Sequence, residues 1–186
     1  YSYFINEYCQ YQNKERAVLK NNNNHMRLKI LSNHFKKSHF LVLFRNPLFH
    51  ANSLLKQHFN FIKIQSQSPF ILRYMDMLGH REFGMHIIPF CYPTDTDDWY
   101  NKYDVLTIEY WLRQWISTYS WFIKEEIHKK RNVFLISYEK LCNDNKYYKN
   151  LIKSLNLKKS YSNRNLKSSN NKYINHKSKL LNEALD

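Results

Sequence analysis

Arg45 and Ser53 are the residues whose types and spacing first suggest a chemical role. Arg45 follows the apolar run of residues 40–44, and Ser53 lies eight residues later in a segment of helical periodicity. An arginine can bind a phosphate through two parallel hydrogen bonds, and a serine hydroxyl adds a neutral donor. The pair therefore indicates a site for a phosphate monoester. Alternatively, Arg45 is a solvated strand end and Ser53 is an ordinary helix residue.

A strand followed directly by a helix would position both residues. Residues 39–44 predict a strand buried on both faces of a parallel sheet, because the run is almost continuously apolar. Pro47 ends the strand, and apolar residues then recur at intervals of three and four as far as Phe59, which predicts a helix. In an open α/β sheet, ligands bind where strands end, and a helix start contributes backbone N–H groups. We therefore expect Arg45 at a ligand-binding edge.

The remaining pattern predicts an α/β fold with three layers around a parallel sheet. Residues 79–103 lack a clean period and predict a long functional loop. Residues 158–186 are rich in Ser, Asn and Lys, and predict a basic tail that is either a lid over a ligand or disordered. The other predicted elements are a second apolar strand over 132–138 and helices over 26–35, 70–78, 104–128 and 146–155, with Asp104 as the N-cap of the third helix.

Length and composition exclude several classes of protein. The 186 residues fit one domain, and because the first residue is Tyr1 we expect a piece of a longer product. With only two glycines, the chain contains no GxxxxGK[ST] or GxGxxG phosphate loop. Three widely spaced cysteines fit neither a disulfide framework nor a CxxC zinc site, so we expect a reducing compartment, the cytoplasm. The apolar runs are too short to cross a membrane. A net charge of +14 favours anionic partners.

Two segments and one lysine of this chain resemble parts of the sulfotransferase family. Residues 41–54, LVLFRNPLFHANSL, resemble its 3′-phosphate-binding segment, in which an apolar strand is followed by Arg-Asp/Asn-Pro and a helix with Ser eight residues after the Arg. Residues 132–141, NVFLISYEKL, look like its strand with a Tyr-Glu-Asp-Leu element. Lys20 occupies the place of the Lys in the family's Lys-x-Pro or Lys-Thr-His element. The similarity extends over about residues 18–157.

The resemblance implies a P-loop-NTPase-like sulfotransferase fold that is truncated at its N-terminus. It also implies an enzyme that uses 3′-phosphoadenosine 5′-phosphosulfate (PAPS) as co-substrate, without a metal, to transfer a sulfuryl group to a hydroxyl or amine, for example of a carbohydrate. Arg45 and Ser53 would hold the 3′-phosphate, and Tyr138 would contact the adenine. Lys20 would offset the charge on the bridging oxygen. Alternatively, Tyr138 is an ordinary strand-end tyrosine and Lys20 a solvated lysine.

The chain also departs from the family pattern. The 5′-phosphosulfate loop should precede Lys20, but residues 1–19 contain nothing like it. Where the small-molecule branch has a base histidine, this chain has Asn22. We therefore name no catalytic base and expect the chain as given to be incomplete and inactive.

His80 and Glu82 lie near both glycines in the predicted loop, and we interpret them as acceptor-recognition residues. The alternative is a capped helix end with an ion pair.

A different class of function is a non-catalytic basic module that binds nucleic acid or another polyanion. A third is a structural or partner-binding domain of degenerate enzyme ancestry. The acceptor and the oligomeric state are left open by the sequence.

Overall fold

A computed structural model describes residues 2–157 and 179–185, and within those ranges the protein is mixed α/β with predominantly helical structure. Two strands are present there, β1 (Phe40–Phe44) and β2 (Val133–Ser137). The helices in the same ranges are α1 (Ser2–Tyr11), α2 (Asn24–His34), α3 (Pro47–Gln67), α4 (Pro69–Met77), α5 (Trp99–Lys102), α6 (Ile108–Lys124), α7 (Tyr138–Asn143), α8 (Asn145–Ser154) and α9 (Lys179–Leu185).

The two strands form a parallel pair, as the sequence predicted. Phe40 lies opposite Val133 at the start of the register, and Phe44 lies opposite Ser137 at its end. Helices α3 to α6 lie between the strands in the chain, which is the long crossover that parallel strands require. Both strands therefore end at the same edge of the sheet, and each is followed by a helix.

The prediction that β1 is buried on both faces is wrong. Leu41 and Leu43 are 43% and 50% exposed, whereas Phe40 and Val42 on the other face pack into the core. A continuous apolar run shows only that a strand is hydrophobic, because the number of layers that cover it depends on distant segments of the chain.

Proline and a polar cap define where α3 and α4 begin. The Asn46 side chain accepts a hydrogen bond from the Phe49 N–H at 3.2 Å, and Pro47 occupies the first turn. The same arrangement recurs at the next junction, where Ser68 accepts from the Ile71 N–H at 3.4 Å and Pro69 follows it. The first of these signals separates β1 from α3, and the second separates α3 from α4.

Helix α6 is shorter than predicted at both ends. Asp104 does not cap it; its carboxylate accepts from the Leu106 N–H at 2.9 Å in the preceding turn, and the N-cap is Thr107. At the other end, Glu126 adopts a left-handed φ of 50°, which stops the helix before the predicted His128. A short 3₁₀ turn, Ile127–Lys129, then leads towards β2.

Two clusters of buried side chains hold these elements together. Helices α3, α6 and α9 pack around the first cluster, and α2, α6 and the inner face of the sheet pack around the second. Most of the predicted tail, residues 158–178, lies outside the described residues, but 179–185 form α9, whose Leu180 is buried. The first cluster contains Ala51, Trp99, Tyr110, Trp111, Leu112, Ile116 and Leu180, and the second contains Leu28, Tyr92, Trp121, Phe122, Ile127 and Val133.

Candidate functional site

The edge where both strands end brings Arg45 and Tyr138 into contact. Arg45 directly follows β1, Tyr138 directly follows β2, and the parallel register makes these positions neighbours. The guanidinium carbon of Arg45 lies 5.0 Å from the centroid of the Tyr138 ring and 6.0 Å from that of Phe49, both within cation–π range. The two residues that the family resemblance assigned to one nucleotide therefore lie side by side.

Glu139 links the two strand ends, and sequence reasoning assigned it no role. Its Oε1 accepts the Asn46 backbone N–H at 2.9 Å and lies 4.0 Å from Nε of Arg45. Its Oε2 accepts the Ser137 hydroxyl at 3.3 Å. The sequence did show that an acidic residue, Glu139, follows the second strand just as Arg45 follows the first, and this could have indicated that the two are neighbours. Glu139 balances the charge of Arg45, so a phosphate at this edge must bind beside an existing carboxylate.

His50 is a half-buried histidine in the first turns of α3, beside the same charges. Its Nδ1 is shielded from solvent and has no hydrogen-bond partner among the described residues. Burial, together with the positive charge of Arg45, lowers the pKa of His50 to about 4, and Glu139 opposes the shift. The imidazole is therefore neutral at neutral pH and adds no positive charge to the edge.

Ser53 and Lys20 are both exposed. Ser53 lies on α3 seven residues beyond the N-cap Asn46, nearly two turns, so the two share a helix face and are separated by about 10 Å along the axis. Lys20 lies in residues 12–23, the segment that joins α1 to α2. The functions suggested for these two residues stay predictions.

The structure places His80 and Glu82 in a different part of the molecule. Nδ1 of His80 lies 3.7 Å from Oε2 of Glu82, and the loop that holds them is attached to the far half of α3. The Gly84 N–H donates to Nδ1 of His58 at 3.0 Å, and the next N–H along the chain donates to Oε1 of Gln65 at 2.7 Å. His58 and Gln65 lie about 16 and 27 Å along α3 from its first residue.

The predicted recognition loop ends up at a distance from Arg45 because it is attached to the far half of α3. The alternative stated above was a capped helix end with an ion pair, and Nε of Arg81 lies 3.3 Å from Oδ1 of Asp76 at the end of α4. An acceptor-recognition role for His80 and Glu82 therefore stays a prediction.

The rest of the long loop is fixed by buried polar side chains. The Gln114 amide, buried on α6, accepts the Phe90 N–H at 3.0 Å and donates to the Phe90 carbonyl at 2.9 Å. The Asp95 carboxylate accepts the Tyr92 N–H at 2.8 Å and the Ser117 hydroxyl at 2.5 Å. An irregular segment can be packed in this way because its backbone groups find side-chain partners.

No protein-family model, curated protein or solved structure matches this chain. Across residues 2–157 and 179–185, no three His, Cys, Asp or Glu side chains are grouped so that they could hold a metal ion. Within the same residues, no helix combines the length and apolar character needed to span a bilayer. The sheet edge is therefore the candidate site, with a guanidinium, two aromatic rings and the N-terminus of a 21-residue helix in one place.

Proposed function

We propose that the carboxyl edge of the sheet binds the nucleotide of PAPS, and that the complete protein transfers its sulfuryl group to a hydroxyl or amine. The observation that supports this is the contact between Arg45 and Tyr138, at 5.0 Å, in a parallel register. The proposal also includes a more specific fold than mixed α/β, namely a P-loop-NTPase-like sulfotransferase fold of which this chain is the C-terminal part.

The side chains and backbone groups at this edge would bind different parts of the nucleotide. Arg45 and Ser53 bind the 3′-phosphate, because a guanidinium just before α3 and a hydroxyl on α3 match the donors that a phosphate monoester accepts. Backbone N–H groups at the start of α3 add a positive dipole end. Tyr138 supplies an aromatic surface for the adenine. The net charge of +14 attracts a donor that carries several negative charges.

The proposed reaction is an in-line displacement at sulfur. The acceptor oxygen or nitrogen forms a bond to sulfur while the bond between sulfur and the bridging oxygen breaks, and adenosine 3′,5′-bisphosphate leaves with the electron pair of that bond. The acceptor loses its proton to a general base. Lys20 stabilises the charge that develops on the bridging oxygen. The acceptor, for example a carbohydrate, and the cytoplasmic location stay predictions.

Thermal unfolding with adenosine 3′,5′-bisphosphate tests the nucleotide site without requiring activity. At a ligand concentration of 100 Kd, binding to the folded state adds about 2.7 kcal/mol, which for this chain length raises the Tm by about 5–10 °C. We expect a clearly smaller rise with adenosine 5′-monophosphate, which lacks the 3′-phosphate. Arg45→Ala should remove the difference between the two ligands, and Arg45→Lys should retain only part of it, because a lysine cannot bind the phosphate in a bidentate manner.

Arg73→Ala is the matched control, because Arg73 is exposed on α4 and its loss changes the net charge by the same amount. It should keep the full response to the bisphosphate. Equal, strongly salt-dependent stabilisation by the bisphosphate, heparin and polyphosphate would instead favour a basic polyanion-binding module. No response to any of these ligands would contradict both readings and favour a structural domain.

A further inference from the structure

Arg45 has constraints on more than one side of its guanidinium group. The side chain is only 17% exposed, and Oε1 of Glu139 lies 4.0 Å from its Nε. The rings of Tyr138 and Phe49 lie within 5.0 and 6.0 Å of the guanidinium carbon. A planar cation that lies over two aromatic rings, with a carboxylate oxygen 4.0 Å from its Nε, has few orientations available.

Glu139 is itself fixed from both strand ends. Its Oε1 is held by the backbone N–H of Asn46, the residue that caps α3, and its Oε2 by the hydroxyl of Ser137, the residue that caps α7. The carboxylate therefore ties Arg45 to the backbone at the end of each strand, and one of its two partners, Asn46, lies 93 residues away from Glu139 in the chain. A mobile carboxylate could not orient another side chain, whereas one with two further hydrogen bonds can.

We infer that Glu139 is a positioning residue, which holds the Arg45 guanidinium in the orientation needed to bind a phosphate. The ligand part of this inference rests on the proposed function, because it takes the 3′-phosphate as the group that Arg45 binds. The orientation of Arg45 does not depend on any ligand. Glu139 touches neither the phosphate nor the sulfuryl group, and acts through Arg45 alone.

The Nε–H of Arg45 reports this orientation directly. Its resonance in a ¹H–¹⁵N spectrum is identified by its disappearance in Arg45→Lys. Glu139→Gln keeps one oxygen that can accept from the Asn46 N–H, and its amide NH2 can donate to the Ser137 hydroxyl in place of the second carboxylate oxygen, but it removes the charge that faces Arg45. We expect this variant to shift the resonance and to speed its exchange with water about fivefold or more. Glu125→Gln is the control, because Glu125 forms an ion pair with Lys29 elsewhere on the surface.

Calorimetric titration then tests the consequence for binding. Glu139→Gln should bind adenosine 3′,5′-bisphosphate about fivefold more weakly than the wild type, with unchanged affinity for adenosine 5′-monophosphate. Glu125→Gln should bind both ligands as the wild type does. A merely structural role of Glu139 would weaken both ligands alike.

Three results would overturn the inference. The first is an Nε–H resonance and exchange rate in Glu139→Gln equal to those of the wild type. The second is an unchanged or higher affinity for the bisphosphate in that variant, which would show that Glu139 competes with the phosphate. The third is an equal loss of affinity for both nucleotides. If the wild type binds no bisphosphate, the proposed function fails, and the Nε–H measurement by itself still decides whether Glu139 orients Arg45.

Discussion

Replacing Gly84 by alanine tests how the long loop is attached to α3. Gly84 has a φ of +90°, and a Cβ added to it would lie 2.1 Å from Oε1 of Gln65. That oxygen is not free to move without cost, because Gln65 is buried and accepts the Met85 N–H at 2.7 Å. The substitution therefore creates backbone strain and also displaces a buried hydrogen-bond acceptor.

The two effects can be estimated separately. A positive φ costs a residue with a Cβ about 1–2 kcal/mol. Displacing Gln65 leaves the Met85 N–H without its acceptor, and an unsatisfied buried donor costs about 1–3 kcal/mol. We therefore expect Gly84→Ala to lower the free energy of unfolding by about 2–5 kcal/mol.

Gly79→Ala is the matched control. Gly79 also has a positive φ, +71°, but an added Cβ there meets nothing within 4 Å. Urea unfolding followed by the fluorescence of the four tryptophans should show that Gly84→Ala is less stable than Gly79→Ala by about 1–3 kcal/mol. In a Gln65→Ala background, the atoms that clash with the added Cβ are absent. There, Gly84→Ala should lower the free energy of unfolding by about as much as Gly79→Ala does.

The reasoning would be refuted if the two glycine variants had equal stability within about 0.5 kcal/mol. It would also fail if Gly84→Ala cost the same with and without the Gln65 side chain. Either result would show that the loop does not depend on the contact between Gly84 and α3.

Three further predictions concern the same framework. Burial lowers the folded-state pKa of His25 and of His50 to about 4, below the unfolded value of 6.5. Their contribution to the free energy of unfolding is therefore fully present above pH 6.5 and falls by about 3 kcal/mol per histidine as the pH drops towards 4. Urea unfolding at a series of pH values should show a weaker pH dependence of stability in either His→Gln variant, and an unchanged pH dependence would contradict the assignment. Gln114→Leu leaves both backbone groups of Phe90 without partners and should cost at least about 2 kcal/mol in the same assay, so a loss below about 0.5 kcal/mol would show that water replaces the amide. Asn46→Ala removes the cap of α3 and should cost about 1 kcal/mol, whereas Asn46→Asp should be nearly neutral by thermal unfolding; equal losses would argue against capping.

Several elements were predictable because neighbouring residues decide them. The Asn46-Pro47 and Ser68-Pro69 pairs fix where α3 and α4 begin through a side-chain cap and a restricted φ. Both strands were recognisable from apolar runs between polar residues, and their parallel arrangement followed from the long segment between them. The N-cap of α6 was not predictable in this way, because aspartate and threonine are both good N-caps. Whether Asp104 or Thr107 caps the helix depends on how the preceding turn closes.

The composition of the candidate site was predictable only in part. That Arg45 follows one strand and Tyr138 follows another could be read along the chain, since each is a local feature. The position of the loop that holds His80 and Glu82 could not be predicted from the sequence. It depends on hydrogen bonds from the loop backbone to the side chains of His58 and Gln65, which form only when α3 and the loop pack together.

By itself, the sequence determined the two strands, the limits of α2, α4 and α8, the start of α3 and the net positive charge, because periodicity, caps and charge act between residues a few positions apart. Only the tertiary structure decided that Arg45 contacts Tyr138, that Glu139 joins both strand ends and that one face of β1 is exposed. These features depend on strand pairing and on packing between segments about a hundred residues apart, and no local pattern specifies which distant residue will fill a given position.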